Sequence, residues 1–527
     1  MVLKKLDNRK LYVIACLIIF AIAIFLRTWN LGKFGFWTDE MYHVIGARSI
    51  LEEGRPVFPS GDEYTRAIGF TYVVAVFFNL FGISELTARL PGVISNILFL
   101  SISFWVVLKW FDRRIALFYL LCMTASPYTL ILARQCRMYA PFQLFFFLGT
   151  VFFFIGLENR SLGDEKRLKK STWTRKLDIN VPFLLFSAIC FGVSNHLQPI
   201  TKIFIGTVAV YVTCMFIYEI SCRNNDRSLI YKYLIVIVLF ILTTIGIMLF
   251  SPATLSELWS TARWHPIWAA GRYFGAHFYR YFLTDNYPFL FFAFPLAVIL
   301  FLKKYQKLGL YFVLSFCVPV VIHSLLFTAK QARYIFNVFP FFVIISSFLV
   351  IKTIDIWIHY SKREKKIFTK QELIIYVLGS VFFLFIIVHP WLMNSKNIIM
   401  SSPWPDWKEF SKKTAHIFSE KDKLLVTNQN HLSYYLKHKP DYYIRNKYDC
   451  TPLNAEYFSG ISPIKNHHDL KEVFRKNKCV YLITQRGHFN SDNFFDEKMR
   501  EFIQENCKGI DVPYSKWIKI YEKNQRE

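Results

Sequence analysis

Long apolar runs recur through most of this chain, and they constrain its fold more than any other feature. A helix needs roughly 20 predominantly apolar residues to cross a bilayer. Runs that reach or approach this length predict membrane spans near 10–28, 89–110, 115–132, 141–157, 181–196, 200–220, 231–250, 289–302, 308–328, 334–351 and 372–389. The apolar stretch 69–82 is shorter, which favours an interfacial or re-entrant helix. The pattern therefore predicts a multi-pass α-helical membrane protein with about 11 spans (11–13).

The basic residues between the predicted spans indicate the orientation of the chain. Cytoplasmic loops of membrane proteins carry an excess of Lys and Arg. With a cytoplasmic N-terminus, alternate loops fall on the same side and all are basic: 109–114, 160–176, 223–232, 303–307 and 352–370. The formal net charge of +26 then reflects topology and attraction to the lipid bilayer, and it does not indicate a nucleic-acid partner.

The same topology predicts four segments outside the cytoplasm. They are a first loop at 29–88, a turn at 133–140, a second large loop at 251–288 and a tail that starts near 390. The tail is charged and contains the strand-like segments KLLVTN (423–428) and CVYLIT (479–484), separated by helix-like stretches. We therefore predict a transmembrane module over 1–389 and an extracytoplasmic α/β domain over 390–527.

Ionisable residues of the apolar region gather on this outer side, and such residues are functional candidates by default. Arg can bind a phosphate group through two parallel hydrogen bonds, and a carboxylate can act as a general base or a metal ligand. A sugar carried on a lipid phosphate needs both groups, because its leaving phosphate gains negative charge while the acceptor hydroxyl loses a proton. The candidates include Asp39, Glu40, His43, Arg66, Arg89, Arg137, Tyr139, His196, His265, Arg272, Arg333 and Tyr334.

Four segments carry a resemblance to a known group of enzymes. FWTDEMYH (36–43) resembles the first-loop acidic motif of the GT-C superfamily of membrane glycosyltransferases. The segment 64–98 resembles the one that follows in protein O-mannosyltransferases and in the aminoarabinose transferase of lipid A, where an aromatic helix leads to Phe-Gly and then to Ala-Arg-Leu-Pro. ARQCRMYAPFQLFF (133–146) and ARYIFNVFPFF (332–342) also resemble this group.

The resemblance implies a GT-C fold, a polyprenyl-phosphate-linked sugar as donor and an extracytoplasmic acceptor. By position, Asp39 matches the catalytic acid of the family, with Glu40 beside it. Arg66 stands where many members carry Lys-Pro-Pro, so the positive charge is retained while the sequence of the loop differs. Related transferases often carry a second acid after the third span, where this chain offers Arg137 and Tyr139. A divalent metal ion at Asp39 therefore stays open, and no cofactor is assigned.

Our leading hypothesis is an inverting glycosyltransferase in which Asp39 and Glu40 are the catalytic carboxylates. The residues predicted to bind the donor phosphate are Arg66, Arg137, Tyr139, Arg272, Arg333 and Tyr334. Further contacts with substrate are predicted for His43, Arg89, His196 and His265. We place the protein in the cell (inner) membrane of a bacterium in preference to the endoplasmic reticulum, because the tail has no Asn-x-Ser/Thr acceptor site.

Two other function classes stay open, as do the sugar and the acceptor, which could be a lipid, a glycan or a protein. A transporter or lipid flippase is disfavoured because charges are sparse within the spans and the sequence shows no paired halves. A non-catalytic membrane scaffold would tolerate replacement of each outer charged residue. At the level of single residues, Asp39 and Glu40 could merely cap a helix, and Arg66 and Arg89 could merely extend toward lipid headgroups.

Overall fold

The computed structural model describes residues 8–159, 179–221, 230–238, 277–327, 330–363, 405–436, 439–446, 459–511 and 517–524. The helices, in chain order, are α1 (Asn8–Thr28), α2 (Thr38–Glu53), α3 (Ile68–Phe81), α4 (Glu85–Trp110), α5 (Arg113–Ala125), α6 (Pro127–Ala133), α7 (Tyr139–Glu158), α8 (Val181–Leu197), α9 (Phe204–Ser221), α10 (Phe278–Asn286), α11 (Pro288–Leu326), α12 (Phe339–Arg363), α13 (Trp407–Thr414), α14 (Gln429–Tyr435), α15 (His467–Lys476), α16 (Arg486–Phe489) and α17 (Glu497–Asn506).

The chain divides into two compact units. The first, which we call the membrane unit, comprises Met1–Arg27, Gly92–Ala133 and Met138–Asn397. The second, which we call the outer unit after the location that the sequence predicts for it, comprises Thr28–Pro91, Arg134–Arg137 and Ile398–Glu527. The segment predicted as the first outer loop and the predicted C-terminal domain therefore belong to one compact body.

Six helices among the described residues are long and apolar enough to cross a membrane. They are α1, α4, α7, α11, α12 and the continuous Pro199–Ser221, in which a short 3₁₀ turn leads into α9. The pair α5 and α6 passes the same test with a bend of 60° between them. Within α11 the backbone breaks at Gln306 (φ 43°, ψ −110°), which separates segments that match the predicted spans 289–302 and 308–328. The predicted span 372–389 and most of 231–250 lie outside the described residues.

Buried charges in the membrane unit are matched with partners. Arg27 is fully buried, and its Nε donates to Asn96 Oδ1 at 2.6 Å. Its other nitrogens donate to the main-chain oxygens of Ala23 and Met123, so one guanidinium joins α1, α4 and α5. A charged group in an apolar interior is costly unless it is hydrogen-bonded, and these contacts meet that requirement.

A six-stranded sheet forms the centre of the C-terminal part of the outer unit. Its strands are β1 (Lys423–Val426), β2 (Tyr442–Ile444), β3 (Ser462–Ile464), β4 (Val480–Gln485), β5 (Cys507–Ile510) and β6 (Ile518–Lys523). The order is β3-β2-β1-β4-β6-β5, with parallel pairing as far as β4 and antiparallel pairing beyond it. The two strand-like segments of the sequence are β1 and β4, and helices cover both faces of the sheet. This confirms the predicted α/β region.

The first outer segment packs against this α/β part through the residues that precede α2. The main-chain N–H of Phe36 donates to the Tyr435 hydroxyl at 2.9 Å, and Nε2 of His431 lies 3.1 Å from the Phe36 oxygen. The Tyr435 hydroxyl donates in turn to Glu85 at 3.1 Å, and Lys408 forms an ion pair with Glu85 at 2.9 Å. Residues of helix α14 therefore form hydrogen bonds with the main chain of Phe36, three positions before Asp39.

Candidate active site

Helix α2 presents the two predicted catalytic carboxylates in its first turn. Trp37 precedes the helix in an extended conformation, and its main-chain N–H donates to Glu40 Oε2 at 2.8 Å. This contact is the reciprocal half of an N-terminal capping arrangement, and negative charge at this end of a helix is favourable. The helix ends where Gly54 adopts the left-handed conformation (φ 79°) that glycine tolerates best. The capping role considered from the sequence therefore applies to Glu40.

The carboxylate of Glu40 is fully buried and joins three segments of the outer unit. Arg89 of α4 approaches it with two parallel hydrogen bonds, Nε to Oε1 and Nη2 to Oε2, both at 2.9 Å. The main-chain N–H of Cys136 also donates to Oε1, at 2.6 Å. Arg89 also donates hydrogen bonds to the main-chain oxygens of Leu31, Phe34 and Gly35. These contacts hold Glu40 and Arg89 in place at the site, while the catalytic role of Glu40 and the substrate contact of Arg89 stay predictions.

Asp39 differs from its neighbour because its side chain stays accessible. The Asp39 side chain is 41% exposed, whereas the Arg137 side chain beside it is 3% exposed. Nη1 of Arg137 donates to the Asp39 main-chain oxygen at 2.6 Å, and Nη2 lies 3.5 Å from Oδ2. The main-chain N–H of Cys136, the residue before Arg137, donates a hydrogen bond to Glu40. The Glu40–Arg89 pair therefore holds the Cys136–Arg137 segment. This segment places the buried Arg137 guanidinium next to the accessible Asp39 carboxylate.

Tyr64 lies within the electrostatic reach of Asp39, Arg66 and Arg137. Burial raises the pKa of Tyr64 to about 12, although the nearby charges of Arg137 and Arg66 act in the opposite direction. Arg66 is exposed, so its guanidinium is available to a ligand. The outer unit thus brings together three predicted residues, Asp39, Arg66 and Arg137, around the hydroxyl of a tyrosine that sequence reasoning did not select.

His43 is enclosed one turn further along α2, on the same face as Asp39. Its Nδ1 lies 2.9 Å from the Thr71 hydroxyl, its Nε2 lies 3.4 Å from the Tyr64 hydroxyl, and Phe70 packs edge-on against its ring. These contacts join α2 to α3, and they give both ring nitrogens of His43 a polar neighbour. These contacts give His43 a structural role, while its substrate contact stays a prediction.

The burial of His43 predicts a measurable pH dependence of stability. Burial lowers the pKa of His43 well below its ordinary value, and the charges of Arg137 and Arg66 lower it further. The folded protein keeps the imidazole neutral, whereas the unfolded chain takes up a proton as the pH falls through about 6.5. The free energy of unfolding should therefore decrease on acidification. In thermal melts between about pH 7.5 and 5.5, we expect His43→Gln to lose less stability than the wild type; equal losses would contradict this role.

Three further predicted residues lie close together in the membrane unit. The Arg333 guanidinium lies 5.8 Å from the centre of the Tyr139 ring and 5.7 Å from that of Tyr334. Tyr334 also stacks on His323, with ring centres 5.5 Å apart. Sequence reasoning missed His323 because it sits inside an apolar run, where a single histidine gives no pattern. His196 is exposed at the end of α8, and Arg272 and His265 lie outside the described residues.

Among the described residues, Asp39 is not part of a cluster of metal-ligating side chains, and a divalent ion at Asp39 stays an open prediction. No three His, Cys, Asp or Glu side chains come together as metal ligands in the part of the chain that the structure describes. The described cation next to the Asp39 carboxylate is Arg137, and the adjacent carboxylate of Glu40 is already occupied by Arg89 and two main-chain N–H groups. Hard cations prefer several oxygen ligands, so no step of the reaction is derived through a metal.

Comparison with known proteins identifies the fold. No protein-family model matches this chain, and no curated protein sequence matches it. Among solved structures, ArnT from Cupriavidus metallidurans bound to undecaprenyl phosphate matches with a TM-score of 0.59 and 14% identity over 97% of each chain. The chain has the GT-C fold. The apo oligosaccharyltransferase of Archaeoglobus fulgidus matches with a TM-score of 0.60 and 12% identity, over 98% of this chain and 75% of that one.

A third GT-C structure, the archaeal oligosaccharyltransferase AglB from Archaeoglobus fulgidus in complex with an inhibitory peptide and a dolichol-phosphate, has a TM-score of 0.57 and 11% identity over 91% of this chain and 70% of that one. Together with the six long apolar helices, these matches establish an integral membrane protein. They confirm the fold class that the motifs in the first 350 residues predicted.

Proposed function

We propose that this protein is a membrane glycosyltransferase that moves a sugar from a polyprenyl-phosphate donor to an acceptor outside the cytoplasm. The observation that carries the proposal is the accessible Asp39 carboxylate, which a buried pair of Glu40 and Arg89 holds beside Arg137. A carboxylate that is rigidly mounted, accessible and flanked by cations suits a reaction between a hydroxyl and a phosphate ester. The GT-C structures with undecaprenyl phosphate and dolichol-phosphate support this donor class.

Asp39 is the general base of the proposed reaction. Its carboxylate accepts the proton of the acceptor hydroxyl while the hydroxyl oxygen attacks the anomeric carbon of the sugar. The bond between that carbon and the phosphate oxygen breaks on the opposite side, so the configuration is inverted. The bonding electrons leave with the polyprenyl phosphate, and Asp39 later releases its proton to water. A positioned base of this kind typically contributes about 10²- to 10⁴-fold to the rate.

Arginine side chains stabilise the leaving phosphate in this proposal. The charge on that phosphate grows as the bond breaks, so fixed cations lower the barrier. Arg66 is exposed and its charge acts on Tyr64, as the charges of Arg137 and Asp39 do, and Arg137 also holds the Asp39 main chain. Contacts of the donor phosphate with Arg272, Arg333, Tyr139 and Tyr334 stay predictions, as do substrate contacts of His196 and His265.

Replacement of Arg66 provides a test of the phosphate contact. Arg66→Gln should raise the KM for the lipid donor about tenfold, because one charge-assisted contact is lost while the buried framework is intact. Arg55→Gln is the matched control, since Arg55 is an exposed arginine of the same loop that is paired with Glu63. Initial rates against donor concentration give both values. Equal KM values for the two variants would remove Arg66 from the donor site.

The transfer reaction itself is tested with purified protein and a panel of polyprenyl-phosphate sugars. An extract of envelope lipids, glycans and proteins supplies the acceptor, and mass spectrometry identifies the product. Sugar transferred from one donor establishes the enzyme class and names the sugar. Movement of an intact donor across the bilayer of proteoliposomes, without any product, would favour the transporter or flippase class. Neither transfer nor transport by the folded wild-type protein would favour a scaffold.

The orientation that we propose follows from the charge pattern of the loops. The N-terminus and the basic loops face the cytoplasm of the cell, and the outer unit faces the opposite side of the inner membrane. This placement gives Asp39 access to an extracytoplasmic acceptor. Because Cys479 is a free and exposed cysteine of the same unit, a cysteine introduced at exposed Glu53 in a Cys479→Ser background should react with an impermeant thiol reagent added to intact spheroplasts.

A further inference from the structure

In the sheet of the outer unit, the chain places β2 and β3 on one side of β1 and then places β4 on its other side. The strand order therefore reverses between β1 and β4, which is called a switch point. β1 leads into α14, whose Leu432 packs on one face with Trp407, whereas β4 leads into α16, whose Phe489 packs on the other face. The two strands are neighbours in the sheet. In open α/β sheets, ligands bind at such a switch point, in the crevice outside the carboxyl ends of the strands.

Polar side chains converge at this carboxyl edge of the sheet. The hydroxyls of Thr427 and Thr484, at the ends of β1 and β4, are hydrogen-bonded at 3.1 Å. His488 of α16 lies against the main chain of Thr427 and stacks on Phe494 with ring centres 3.9 Å apart. Arg445, which follows β2, lies 5.6 Å from the same Phe494 ring. Burial and the charge of Arg445 lower the pKa of His488 to about 4, so the imidazole is neutral near pH 7.

Four buried polar atoms near this edge have no hydrogen-bond partner among the described residues. They follow β1 or β4 and are Asn428 Nδ2, Asn430 Oδ1, His431 Nδ1 and His488 Nδ1. A buried polar atom without a partner costs roughly 1–3 kcal/mol, and the great majority of such atoms in folded proteins are satisfied. Four of them in two adjacent connections indicate a place where water or a ligand completes the contacts.

An aromatic side chain and a second arginine lie at the same edge. The main-chain N–H of Arg486, directly after β4, donates to the Trp517 oxygen at 2.7 Å. Trp517 is 42% exposed, and within the described residues of 405–524 it is the one large apolar side chain that is so exposed. Arg486 is exposed as well. The edge therefore presents a flat apolar surface, the exposed guanidinium of Arg486, the half-buried guanidinium of Arg445, whose Nη1 also donates to the Tyr443 hydroxyl at 3.3 Å, and several amide or imidazole groups.

We infer that the carboxyl edge between β1 and β4 binds a saccharide that carries a negative charge. An indole face packs on the C–H face of a sugar ring, and its amphipathic character suits such a half-wet contact. Amide and imidazole groups exchange hydrogen bonds with sugar hydroxyls, while Arg445 and Arg486 can grip a carboxylate or phosphate substituent. Asp492, the nearby acid, is paired with Arg500 at 2.8 Å.

The position of this edge links the saccharide to the proposed acceptor. His431, which follows β1, contacts the main-chain oxygen of Phe36, three positions before Asp39. A glycan bound along the edge would extend toward the base that deprotonates its hydroxyl. The identification of the bound saccharide as the acceptor rests on the proposed transfer reaction, whereas the binding itself does not.

Binding is tested on the full-length protein in detergent by isothermal titration. The probes are trigalacturonate, mannose 6-phosphate, neutral maltotriose and inorganic phosphate. We expect a charged saccharide to bind at least tenfold more tightly than maltotriose and inorganic phosphate. Arg486→Gln and Trp517→Ala should each weaken that binding about tenfold. Arg475→Gln, an exposed arginine of α15, is the matched control and should bind as the wild type does.

The outcomes separate this inference from the proposed function. Binding of neither charged saccharide, equal binding of inorganic phosphate, or identical effects of Arg486→Gln and Arg475→Gln would each overturn the inference, with thermal melts confirming that the variants are folded. The same titrations on Asp39→Asn should give unchanged affinity. Saccharide binding without any transfer would preserve the site and reject the transferase, whereas transfer without saccharide binding would do the reverse.

Discussion

Asp39→Asn is expected to lower the rate of sugar transfer by about 10³-fold while the protein remains folded. The amide has the size of the carboxylate but cannot accept the proton of the acceptor hydroxyl. Arg137 still donates to the main-chain oxygen of residue 39, because that contact does not involve the side chain. The loss should therefore appear in kcat, with little change in the KM for the donor. Steady-state release of polyprenyl phosphate measures both constants.

Glu53→Gln is the matched control for this prediction. Glu53 ends the same helix and is exposed, so the substitution makes the same chemical change at a distance from the site. We expect it to retain wild-type kinetics. An Asp39→Asn variant within tenfold of the control would contradict the role of Asp39 as general base, and a large increase in donor KM would point to binding instead.

Arg89→Leu is expected to destabilise the outer unit more than any exposed charge substitution. The change leaves the Glu40 carboxylate buried without its guanidinium partner, and it removes the donor from the main-chain oxygens of Leu31, Phe34 and Gly35. Removal of one partner of a buried ion pair typically costs about 3–5 kcal/mol. We expect a lower melting temperature together with loss of transfer, since the Cys136–Arg137 segment is no longer fixed beside Asp39.

Arg48→Gln isolates the effect of burial. Arg48 forms an ion pair with Glu52 on α2 at 2.7 Å, but both side chains are 55% exposed. Exposed pairs of this kind contribute about 0–1 kcal/mol, so its melting temperature should stay close to that of the wild type. Equal melting temperatures for Arg89→Leu and Arg48→Gln would show that the Glu40–Arg89 pair does not hold the site together.

The membrane helices and the α/β part could be predicted from the sequence because both leave local patterns. An apolar run of spanning length is visible without any tertiary contact, and β1 and β4 are short apolar segments between polar helices. The span pattern did not show the 60° bend between α5 and α6. The sequence also did not predict that Thr28–Pro91 and the C-terminal domain form one compact unit. That association depends on contacts between distant residues, such as Phe36 and Tyr435, which are 399 positions apart.

The difference between Asp39 and Glu40 could not be predicted from the sequence. Adjacent carboxylates look alike in a motif, and their roles diverge only because Glu40 faces Arg89, 49 positions away, and a main-chain N–H at Cys136. A main-chain donor leaves no trace in residue identity, because every residue except proline supplies one. Arg66 and Arg137 were selected for their charge, and the structure places both near Tyr64.

The most direct test of the proposed reaction is the release of polyprenyl phosphate by the wild type, Asp39→Asn and Glu53→Gln, purified side by side and supplied with donor and acceptor extract. We predict rapid release by the wild type and Glu53→Gln with one donor, and release by Asp39→Asn that is slower by about 10³-fold. Release at the same rate by all three proteins, or by none of them although all three are folded, would contradict the proposal that Asp39 is the base of a glycosyl transfer.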